Sequence, residues 1–309
     1  MPDSSLKRRQ FIGALAGAPL SVNSGQNVIS PKQSLNANQT PAEKSDAIKL
    51  TFCGTGAADW PSEYPLPGES IDTASFRGNA SLMVDSSLMI DCGPTVPEAL
   101  VYHKIDTSGL SDLFITHSHG DHFNIDAIQR LKEMTHVKSR IKLWHHSGAL
   151  ERFSIPDIFD IKPLEVMDSV ETSGIRITAL PANHVVSNSA ETPLHFLLEK
   201  GLRRILYATD GAWLLKKTWL FLKDKPLDAV IWDATIGEIE GDWRIFEHNS
   251  LDMVRLMTKT LSEQNVLKQG AQVILTHMAY TLWPPHDEIA PSLISENITP
   301  AWDGMEVVI

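Results

Sequence analysis

The chain has 309 residues, 42% of them hydrophobic, and a formal net charge of −11 at pH 7. This length suits one large domain or two small ones, and the hydrophobic content is ordinary for a soluble globular protein. The acidic balance argues against affinity built on many phosphate contacts, so no nucleic-acid duplex is expected as a partner. No run of about 18 or more apolar residues occurs, so no membrane span is expected in the mature protein.

The first 46 residues have the composition of an export signal followed by a linker. Lys7, Arg8 and Arg9 precede an apolar run over residues 11–22, which is the order of an n-region and an h-region. The paired arginines before Gln-Phe-Ile resemble a twin-arginine signal. Residues 23–46 are rich in Ser, Asn, Gln and Pro and predict a linker without a core. We therefore expect residues 1–46 to direct export, to the periplasm, and residues 47–309 to form one globular domain.

From residue 48 onward, strand and helix patterns alternate along the chain. Short β-rich runs predict strands, and apolar residues spaced three and four apart predict helices. In chain order, strands are expected at residues 48–53, 79–84, 87–91, 113–116, 141–144, 164–167, 175–180, 195–199, 204–207, 229–232, 273–275 and 305–309. Helices are expected at residues 97–104, 124–132, 211–222 and 250–261. A hairpin followed by strand–helix units in one continuous stretch favours a single α/β domain.

The chain has two cysteines, Cys53 and Cys92, and each ends a predicted strand just before a glycine. They do not have the spacing of a Cys-rich zinc site. Two buried free thiols are the preferred interpretation. A single disulfide stays open, because it depends on the compartment.

A cluster of metal-ligand side chains follows the strand predicted at residues 113–116. It comprises His117, His119, Asp121 and His122. Side chains two residues apart share a face where a strand ends, so His117 and His119 can meet one ion. Asp121 and His122 would then face a second ion. Imidazole and carboxylate ligands suit zinc, manganese or iron, and ligand type alone does not choose among them.

Three further candidate ligands each follow an apolar strand. His184 comes after residues 175–180, Asp210 after residues 204–207, and His277 after residues 273–275. Loops at strand ends are where a rigid sheet presents functional side chains. We therefore expect these three residues to complete the metal site.

The order His-x-His-x-Asp-His, followed by His, Asp and His, resembles the metallo-β-lactamase superfamily over residues 48–309. The resemblance implies an α/β fold of the αββα sandwich type, with two metals at one edge between the sheets. It also implies a distribution of ligands: His117, His119 and His184 on the first metal, Asp121, His122 and His277 on the second, and Asp210 bridging both. We expect two divalent ions, zinc ahead of manganese or iron, that generate a bridging hydroxide as nucleophile. Asp121 is the residue expected to orient it.

Smaller segments resemble the phosphodiesterase branch of that superfamily, which includes tRNA 3′-end-processing nucleases and cyclic-phosphate phosphodiesterases. They are residues 50–56, 89–94, 246–250 and 301–307. In that branch a histidine at the position of His248 is similar in role to a general acid, which protonates the leaving oxygen. The competing interpretation of His248 is a polar helix start capped by Asn249 or Ser250.

The chain also departs from the cyclic-phosphate enzymes of that branch. Their Cys-rich auxiliary zinc-binding stretch after the first strand has no counterpart here. Residues 57–70, with Trp60 and several prolines, are instead a candidate cover for the site. No long basic arm of the kind that holds tRNA is present in the sequence. The specific substrate of that branch therefore does not carry over.

The leading hypothesis is a binuclear phosphodiesterase for a small phosphate diester, cyclic diesters included. The alternative is an acyl hydrolase, such as a lactonase or β-lactamase, with the same metal centre. A metal-binding module without catalysis is the third class. A homodimer is left open.

Several other side chains receive weaker interpretations. Arg77 is left open between a phosphate contact and a solvated charge, and His286 between the pocket mouth and a helix start. The remaining histidines match no expected ligand position or are interpreted as structural or surface residues: His103, His136, His145, His146 and His195.

Overall fold

The computed structural model describes residues 46–61, 63–66, 69, 76–135, 140–150 and 153–309. All of them belong to one compact unit that spans residues 40–309. The expected signal and most of the linker lie outside the described residues, as does His136. The export signal and its boundary with the domain therefore stay predictions.

Two seven-stranded sheets form the described part of the domain. The first runs in the order β14-β1-β2-β3-β4-β5-β6, with β1 (Lys49–Gly54), β2 (Ser81–Val84), β3 (Leu88–Ile90), β4 (Asp112–Phe114), β5 (Ile141–His146), β6 (Phe159–Leu164) and β14 (Glu306–Val308). The second runs in the order β13-β12-β11-β10-β9-β8-β7, with β7 (Ser169–Thr172), β8 (Ile175–Pro181), β9 (Leu194–Lys200), β10 (Arg203–Ala208), β11 (Leu227–Asp233), β12 (Leu267–Thr276) and β13 (Ile298–Pro300).

Helices lie between the strands. They are α1 (Val96–Tyr102), α2 (Ile125–Met134), α3 (Ser147–Leu150), α4 (Lys216–Leu222), α5 (Leu251–Glu263) and α6 (His286–Ser295), with a 3₁₀ turn at Trp243–Phe246. Side-chain caps define two of the starts, since Asn124 accepts from the Ala127 amide and Ser250 from the Met253 amide. In the described ranges, no helix is both long enough and apolar enough to cross a membrane.

Alternation along the strands separates the core into layers. In β10, Ile205 and Tyr207 face the opposite sheet, whereas Leu206 and Ala208 face the helices on the outside. A third apolar cluster packs α1 and α2 on the outer face of the first sheet. Because successive strand side chains point to opposite faces, both faces of each sheet are covered. The expected αββα sandwich is confirmed.

Strand direction brings the ends of several strands to one edge of the sandwich. Strands β3 to β6 are parallel to one another, and so are β10 to β13. Strand β8 pairs antiparallel with β9, which pairs antiparallel with β10, so β8 and β10 run in the same direction. The loops that carry the predicted ligands leave from the carboxyl ends of these strands.

Two of the predicted elements are wrong. The strand expected at residues 164–167 is displaced, because β6 ends at Leu164 and a turn follows. The helix expected from residue 211 begins only at Lys216. Tertiary contacts hold the preceding residues out of the helix: the Trp213 amide donates to Asn249 Oδ1 (3.0 Å), and Asn183 Nδ2 donates to the Ala212 carbonyl (2.6 Å).

Both cysteines are free thiols buried in the apolar cluster beside α1 and α2. Burial raises the pKa of Cys53 to about 12 and raises that of Cys92 as well. The thiolate form is therefore disfavoured at both positions, and the two cysteines act as small hydrophobic core residues.

Candidate active site

The segment from His117 to His122 forms a tight turn directly after β4. The amides of His122 and Phe123 both donate to the His119 carbonyl, at 3.0 and 2.8 Å. Glu191 holds the turn from outside, since its carboxylate accepts from the Ser118 amide (2.7 Å) and hydroxyl (2.5 Å). This buried carboxylate fixes the backbone that presents the four predicted ligands. Sequence reasoning missed Glu191, which lies between β8 and β9 without any local motif.

One group of three imidazoles converges as the ligand hypothesis for the first metal requires. The ligand nitrogens of His117, His119 and His184 lie within 4.8 Å of one another. His119 Nδ1 is at the centre, 3.0 Å from His117 Nε2 and 3.1 Å from His184 Nε2. The structure thus brings a residue from β8's end to the turn after β4.

A second group contains Asp121, His122, Asp210 and His277, whose ligand atoms also lie within 4.8 Å of one another. His122 Nε2 is 2.6 Å from Asp210 Oδ2 and 3.3 Å from His277 Nε2. Asp210 Oδ2 also lies 3.3 Å from His117 Nε2, which belongs to the first group. Asp210 therefore stands where a bridging ligand between the two groups must stand.

The outer nitrogens of these imidazoles are held by oxygen atoms. His122 Nδ1 donates to Asp91 Oδ2 (2.8 Å), and His277 Nδ1 donates to Thr235 Oγ1 (2.8 Å). His117 Nδ1 contacts Thr116 Oγ1 at 3.0 Å, and the Thr116 hydroxyl itself donates to Asp91. A neutral imidazole that donates at Nδ1 carries its lone pair at Nε2. The Nε2 lone pairs of all three rings thus point toward the middle of the cluster.

This donor set fits divalent metal ions. Imidazole nitrogens and carboxylate oxygens that converge within 4.8 Å are the ligand types that zinc takes in proteins. The carboxylates of the cluster supply the negative charge that would balance bound cations. Their effect is seen at His277: burial alone would lower the pKa of this imidazole, but Asp210 and Asp121 raise it to about 10. Although burial opposes ionisation, His277 and His122 hold the pKa of Asp210 well below its usual range. The individual ligand assignments stay predictions that this geometry supports.

His248 follows the 3₁₀ turn and lies beside the predicted ligands. Its Nδ1 donates to Asp233 Oδ2 across 2.8 Å, and its ring centre is 5.0 Å from that of His184. Burial lowers the pKa of His248, but the Asp233 carboxylate more than offsets this, and the net direction is upward. Ser250, rather than His248 or Asn249, caps α5. His248 therefore belongs to the cluster as well as preceding a helix.

Asp233 is a functional candidate that sequence reasoning missed. It ends β11, is fully buried, and also accepts from the amides of Thr235 and Asn249, both at 3.0 Å. One carboxylate thus fixes the His248 ring and the two loops beside it. A strand-end aspartate followed by Ala-Thr was a weak local signal, and its pairing with His248 depends on a contact 15 residues away.

The cluster opens into a cavity of about 170 Å³. Its lining comprises Ala57, Ala58, Asp59, His119, Asp121, His184, Asp210, Thr235, Arg244, Glu247, His248, His277 and Ala279. The loop after β1 contributes to the wall, since Asp59 accepts from the amides of Tyr280 (2.8 Å) and Thr281 (3.1 Å). The start of the candidate cover, residues 57–59, therefore reaches the cavity.

Arg244 brings a positive charge to the same cavity and was also missed. Asp242 holds it through two hydrogen bonds, both 2.8 Å, from Nε and Nη2. These hydrogen bonds raise the pKa of Arg244 above its ordinary value. A guanidinium at the rim is suited to an anionic substrate group.

Arg77 does not reach this cavity. It is only 4% exposed, so its interpretation as a solvated charge is wrong. It lines a neighbouring cavity together with His286, which is also the first residue of α6.

The other described histidines lie outside the cluster. His145 is buried against Phe123, with ring centres 5.1 Å apart, and His146 Nε2 is 3.6 Å from Glu165 Oε2. His103 contacts the Tyr64 hydroxyl at 2.6 Å, and His195 is buried beside Gly211. His145 and His146 thus match no ligand position, and His103 and His195 lie apart from the ligand groups, in line with their interpretation as structural or surface residues.

This sandwich, with His and Asp side chains at one edge, defines a hydrolase of the metallo-β-lactamase fold. The metallo-beta-lactamase fold protein YhfI from Bacillus subtilis superposes with a TM-score of 0.64 at 14% identity, covering 85% of this chain and 100% of that one. Human tRNase Z, short form (ELAC1), superposes with a TM-score of 0.57 at 19% identity, covering 84% and 98%. The expected fold and enzyme class are confirmed.

The family of the chain follows from its sequence match. The family model of Anti-Pycsar protein Apyc1 matches residues 48–267, which is more than half of the chain, and the chain belongs to this family. The Anti-Pycsar protein Apyc1 of Saccharibacillus brassicae is 22% identical over 218 residues, covering 65% of this chain and 85% of that protein. A shorter match, 31% identical over 77 residues, joins 25% of this chain to 18% of the Zinc phosphodiesterase ELAC protein 1 of Homo sapiens.

Proposed function

We propose that this chain is a binuclear metal-dependent phosphodiesterase that opens small cyclic phosphate diesters. The observation that carries the proposal is the position of His248 on the cavity wall, with its Nδ1 held 2.8 Å from Asp233 Oδ2. A cluster of metal ligands serves acyl hydrolysis and phosphodiester hydrolysis equally well. A fixed imidazole beside it favours a reaction whose leaving oxygen needs a proton.

The described residues that would hold two ions are His117, His119, His184, Asp121, His122, His277 and Asp210. When bound, two divalent cations lower the pKa of a water molecule and offset negative charge on phosphate oxygens. Zinc is the proposed metal, because the human relative is named a zinc phosphodiesterase and because imidazole and carboxylate suit zinc.

Side chains of the protein itself have the remaining roles in the reaction. The Asp121 carboxylate lines the cavity and is positioned to orient the attacking water by accepting a hydrogen bond from it. Arg244 lines the same cavity and is suited to the phosphate oxygens. The Asp233 carboxylate keeps the Nδ1 proton of His248, so the second ring nitrogen, Nε2, is the one that donates to the leaving oxygen.

Cavity size supports a small substrate. The catalytic cavity encloses about 170 Å³, below the about 300–1,000 Å³ of sites that bury a drug-sized ligand. A ring-closed phosphate on a sugar places the scissile phosphorus and its leaving oxygen close together in such a space. The net charge of −11 likewise disfavours a long polyanion.

The proposal is tested with the zinc-loaded protein and its His248→Gln variant on two diesters. One is a cyclic phosphodiester whose leaving group is an alkoxide, and the other is bis(p-nitrophenyl) phosphate, whose nitrophenolate leaves without a proton. We expect the variant to lose about 10²–10⁴-fold in kcat on the first substrate and much less on the second. His146→Gln, at a histidine that does not line the cavity, is the matched control.

Three outcomes would contradict the proposal. Strong lactone or β-lactam hydrolysis with little diester cleavage would identify an acyl hydrolase. Undiminished alkoxide release in His248→Gln would remove His248 from the reaction. A reconstituted protein that binds zinc and hydrolyses none of these substrates would be a binding module.

A further inference from the structure

An apolar groove lies between α4 and α5, on the outer face of the second sheet. It encloses about 330 Å³, and its apolar lining comprises Trp213, Leu214, Trp219, Leu256, Met257 and Leu261, with Thr260 beside them. None of these side chains lines the catalytic cavity. The volume is within the range of about 300–1,000 Å³ that small-molecule sites occupy. The groove is therefore large enough to hold a ligand of its own.

Helical spacing brings the lining of the groove together. In α5, Leu256 and Thr260 are four residues apart, as are Met257 and Leu261, so the members of each pair are neighbours on the helix surface. Met257 and Leu261 are buried in the apolar cluster under the helices, whereas Leu256 is 56% exposed. Across the groove, Trp213 precedes α4 and is 41% exposed. Exposed apolar side chains that group around one groove mark an interaction site, whereas singly scattered ones do not.

The loop before α4 holds Trp213 at the groove in an uncommon backbone conformation. Its φ is +58°, in the left-handed region that bulky residues seldom adopt. The Trp213 amide donates to Asn249 Oδ1 (3.0 Å), and Asn249 Nδ2 donates to the Gly211 carbonyl (2.9 Å). Non-glycine residues in this region cluster at active sites and ligand sites, where the surrounding structure holds them. Asn249 thus fixes one wall of the groove to the loop that also carries Asp210.

The edge of the groove has positive charge without a counter-charge. Lys216 and Lys217 are exposed at the start of α4, and neither forms an ion pair with a described residue. Lys216 lies three residues before Trp219, on the same face of the helix. The acidic side chains of α5 and of the turn after α4 are already paired: Asp252 with Arg255 (3.2 Å), Glu263 with Lys259 (3.9 Å) and Asp224 with Lys223 (3.9 Å). The groove therefore combines an apolar interior with a cationic edge, although the net charge of the protein is −11.

We propose that this groove binds a free medium-chain fatty acid, with the hydrocarbon chain inside and the carboxylate beside Lys216. The lining is mostly hydrocarbon, so a charged head group placed there would lose its hydration and must stay at the edge. Lys216 and Lys217 attract an anionic head group at that edge and repel a cationic one. Each CH₂ group that the groove buries adds about fourfold to the affinity. The inference does not depend on the phosphodiesterase chemistry.

The test measures binding to the zinc-loaded full chain by calorimetry, with three ligands below their micelle concentrations. They are decanoate, octanoate and decyltrimethylammonium. We expect decanoate to bind about tenfold more tightly than octanoate, since two further CH₂ groups are buried. Decyltrimethylammonium has the same chain and the opposite charge, and it should bind more weakly than decanoate. Adsorption governed by the net charge of the protein would give the reverse order.

Two variants show whether the ligand lies in the groove. Leu256→Ser, at a side chain that is 56% exposed, should weaken decanoate binding by about tenfold and leave the fold intact. Lys216→Gln should remove the preference for decanoate over decyltrimethylammonium. The matched control is Ile294→Ser, at a helical side chain that is 57% exposed and lies outside the lining of the groove. It should keep the wild-type affinity for decanoate.

Other results would overturn the inference. Undetectable decanoate binding, or equal affinity in wild type and Leu256→Ser, would exclude the groove as the fatty-acid site. A dimer that Leu256→Ser dissociates in size-exclusion chromatography would show that a second copy of the chain covers the groove. Binding to phosphatidylglycerol vesicles that Leu256→Ser abolishes, without binding of free decanoate, would assign the groove to a membrane surface instead.

Discussion

Asp233 Oδ2 accepts a hydrogen bond from His248 Nδ1 across 2.8 Å, and this contact joins a strand end to the loop between the 3₁₀ turn and α5. Asp233 ends β11, whereas His248 stands just before the cap of α5. The Asp233 carboxylate is fully buried, so water does not compete for this hydrogen bond. This pair couples the rigid end of a central strand to the side chain proposed to donate a proton.

The variant Asp233→Asn tests that coupling. An amide matches the shape of the carboxylate but loses its charge, so the His248 ring loses its preference for donating at Nδ1. We expect kcat to fall by about 10²-fold for an alkoxide leaving group and by less than about tenfold for nitrophenolate. Steady-state rates on both substrates measure the split. Equal losses of kcat on the two substrates, or a loss of bound zinc, would show that Asp233 has a general structural role instead.

Asp91 is predicted to control metal affinity through His122. Its Oδ2 accepts from His122 Nδ1 (2.8 Å) and from the Thr116 hydroxyl (2.8 Å), and it makes no direct approach to the cavity. Carboxylates in this position orient a ligand imidazole and raise its basicity, and their loss costs about 10–100-fold in metal affinity. We expect Asp91→Asn to show that loss when zinc is titrated against a chromophoric chelator.

A matched control for Asp91 is available in the same sheet. Asp112 is also fully buried and accepts from Trp144 Nε1 (2.7 Å) and Thr172 Oγ1 (2.9 Å), away from the predicted ligands. Asp112→Asn should therefore destabilise the fold without changing zinc affinity. If both variants weaken zinc binding alike, the loss of affinity results from general destabilisation of the sheet and not from the contact between Asp91 and His122.

Arg244 is predicted to bind the phosphate rather than to build the fold. Its two hydrogen bonds to Asp242 place the guanidinium at the cavity and leave its Nη1 group for a substrate anion. We expect Arg244→Ala to raise KM for phosphodiesters by about tenfold, and Arg244→Lys to recover part of the loss. The thermal midpoint should change little, because surface ion pairs contribute about 0–1 kcal/mol. A lowered kcat with unchanged KM would contradict a binding role.

Asp303 is predicted to make stability depend on pH. Oδ1 accepts from the Thr55 hydroxyl (2.7 Å) and Oδ2 from the Gly78 amide (2.6 Å), while burial raises the pKa of this carboxyl to about 6. The folded-state pKa is therefore above the unfolded value of about 3.9. As pH rises from about 4 to about 6, the unfolded chain releases this proton first, so the free energy of unfolding falls.

Comparison with Asp303→Asn isolates this titration. The stability of the wild type relative to the variant should decrease by about 2 kcal/mol between pH 4 and pH 6 and level off above about pH 7. Urea unfolding of the zinc-free proteins at matched pH values measures the difference. A stability difference that does not vary over this range would show that Asp303 ionises normally in the folded state.

Local sequence determined most of the strands and helices, and the two exceptions have different causes. Short β-rich runs located β8 to β11 within one or two residues, and apolar residues at helical spacing located α2 and α5 equally closely. The displaced strand at residues 164–167 and the late start of α4 are different. Before α4 the partners are the distant Asn183 and Asn249, so residues 211–215 themselves carried no signal. After β6 the chain closes a local turn, since the Glu165 amide donates to Asp168 Oδ2 (2.9 Å) and the Asp168 amide donates to the Glu165 carbonyl (3.0 Å).

The candidate site likewise has parts that the local sequence predicted and parts that it did not. By itself, the sequence determined the ligand candidates from His117 to His277, because each follows a strand and strand ends leave a local pattern. Only the tertiary structure decided which of them meet and what lies around them: Asp233 behind His248, Asp91 behind His122, Arg244 at the rim, and Trp213 held by Asn249 beside an apolar groove. Sheet register and the loops that meet across the edge of the sandwich bring these neighbours together. Local residue spacing predicts neither of the two.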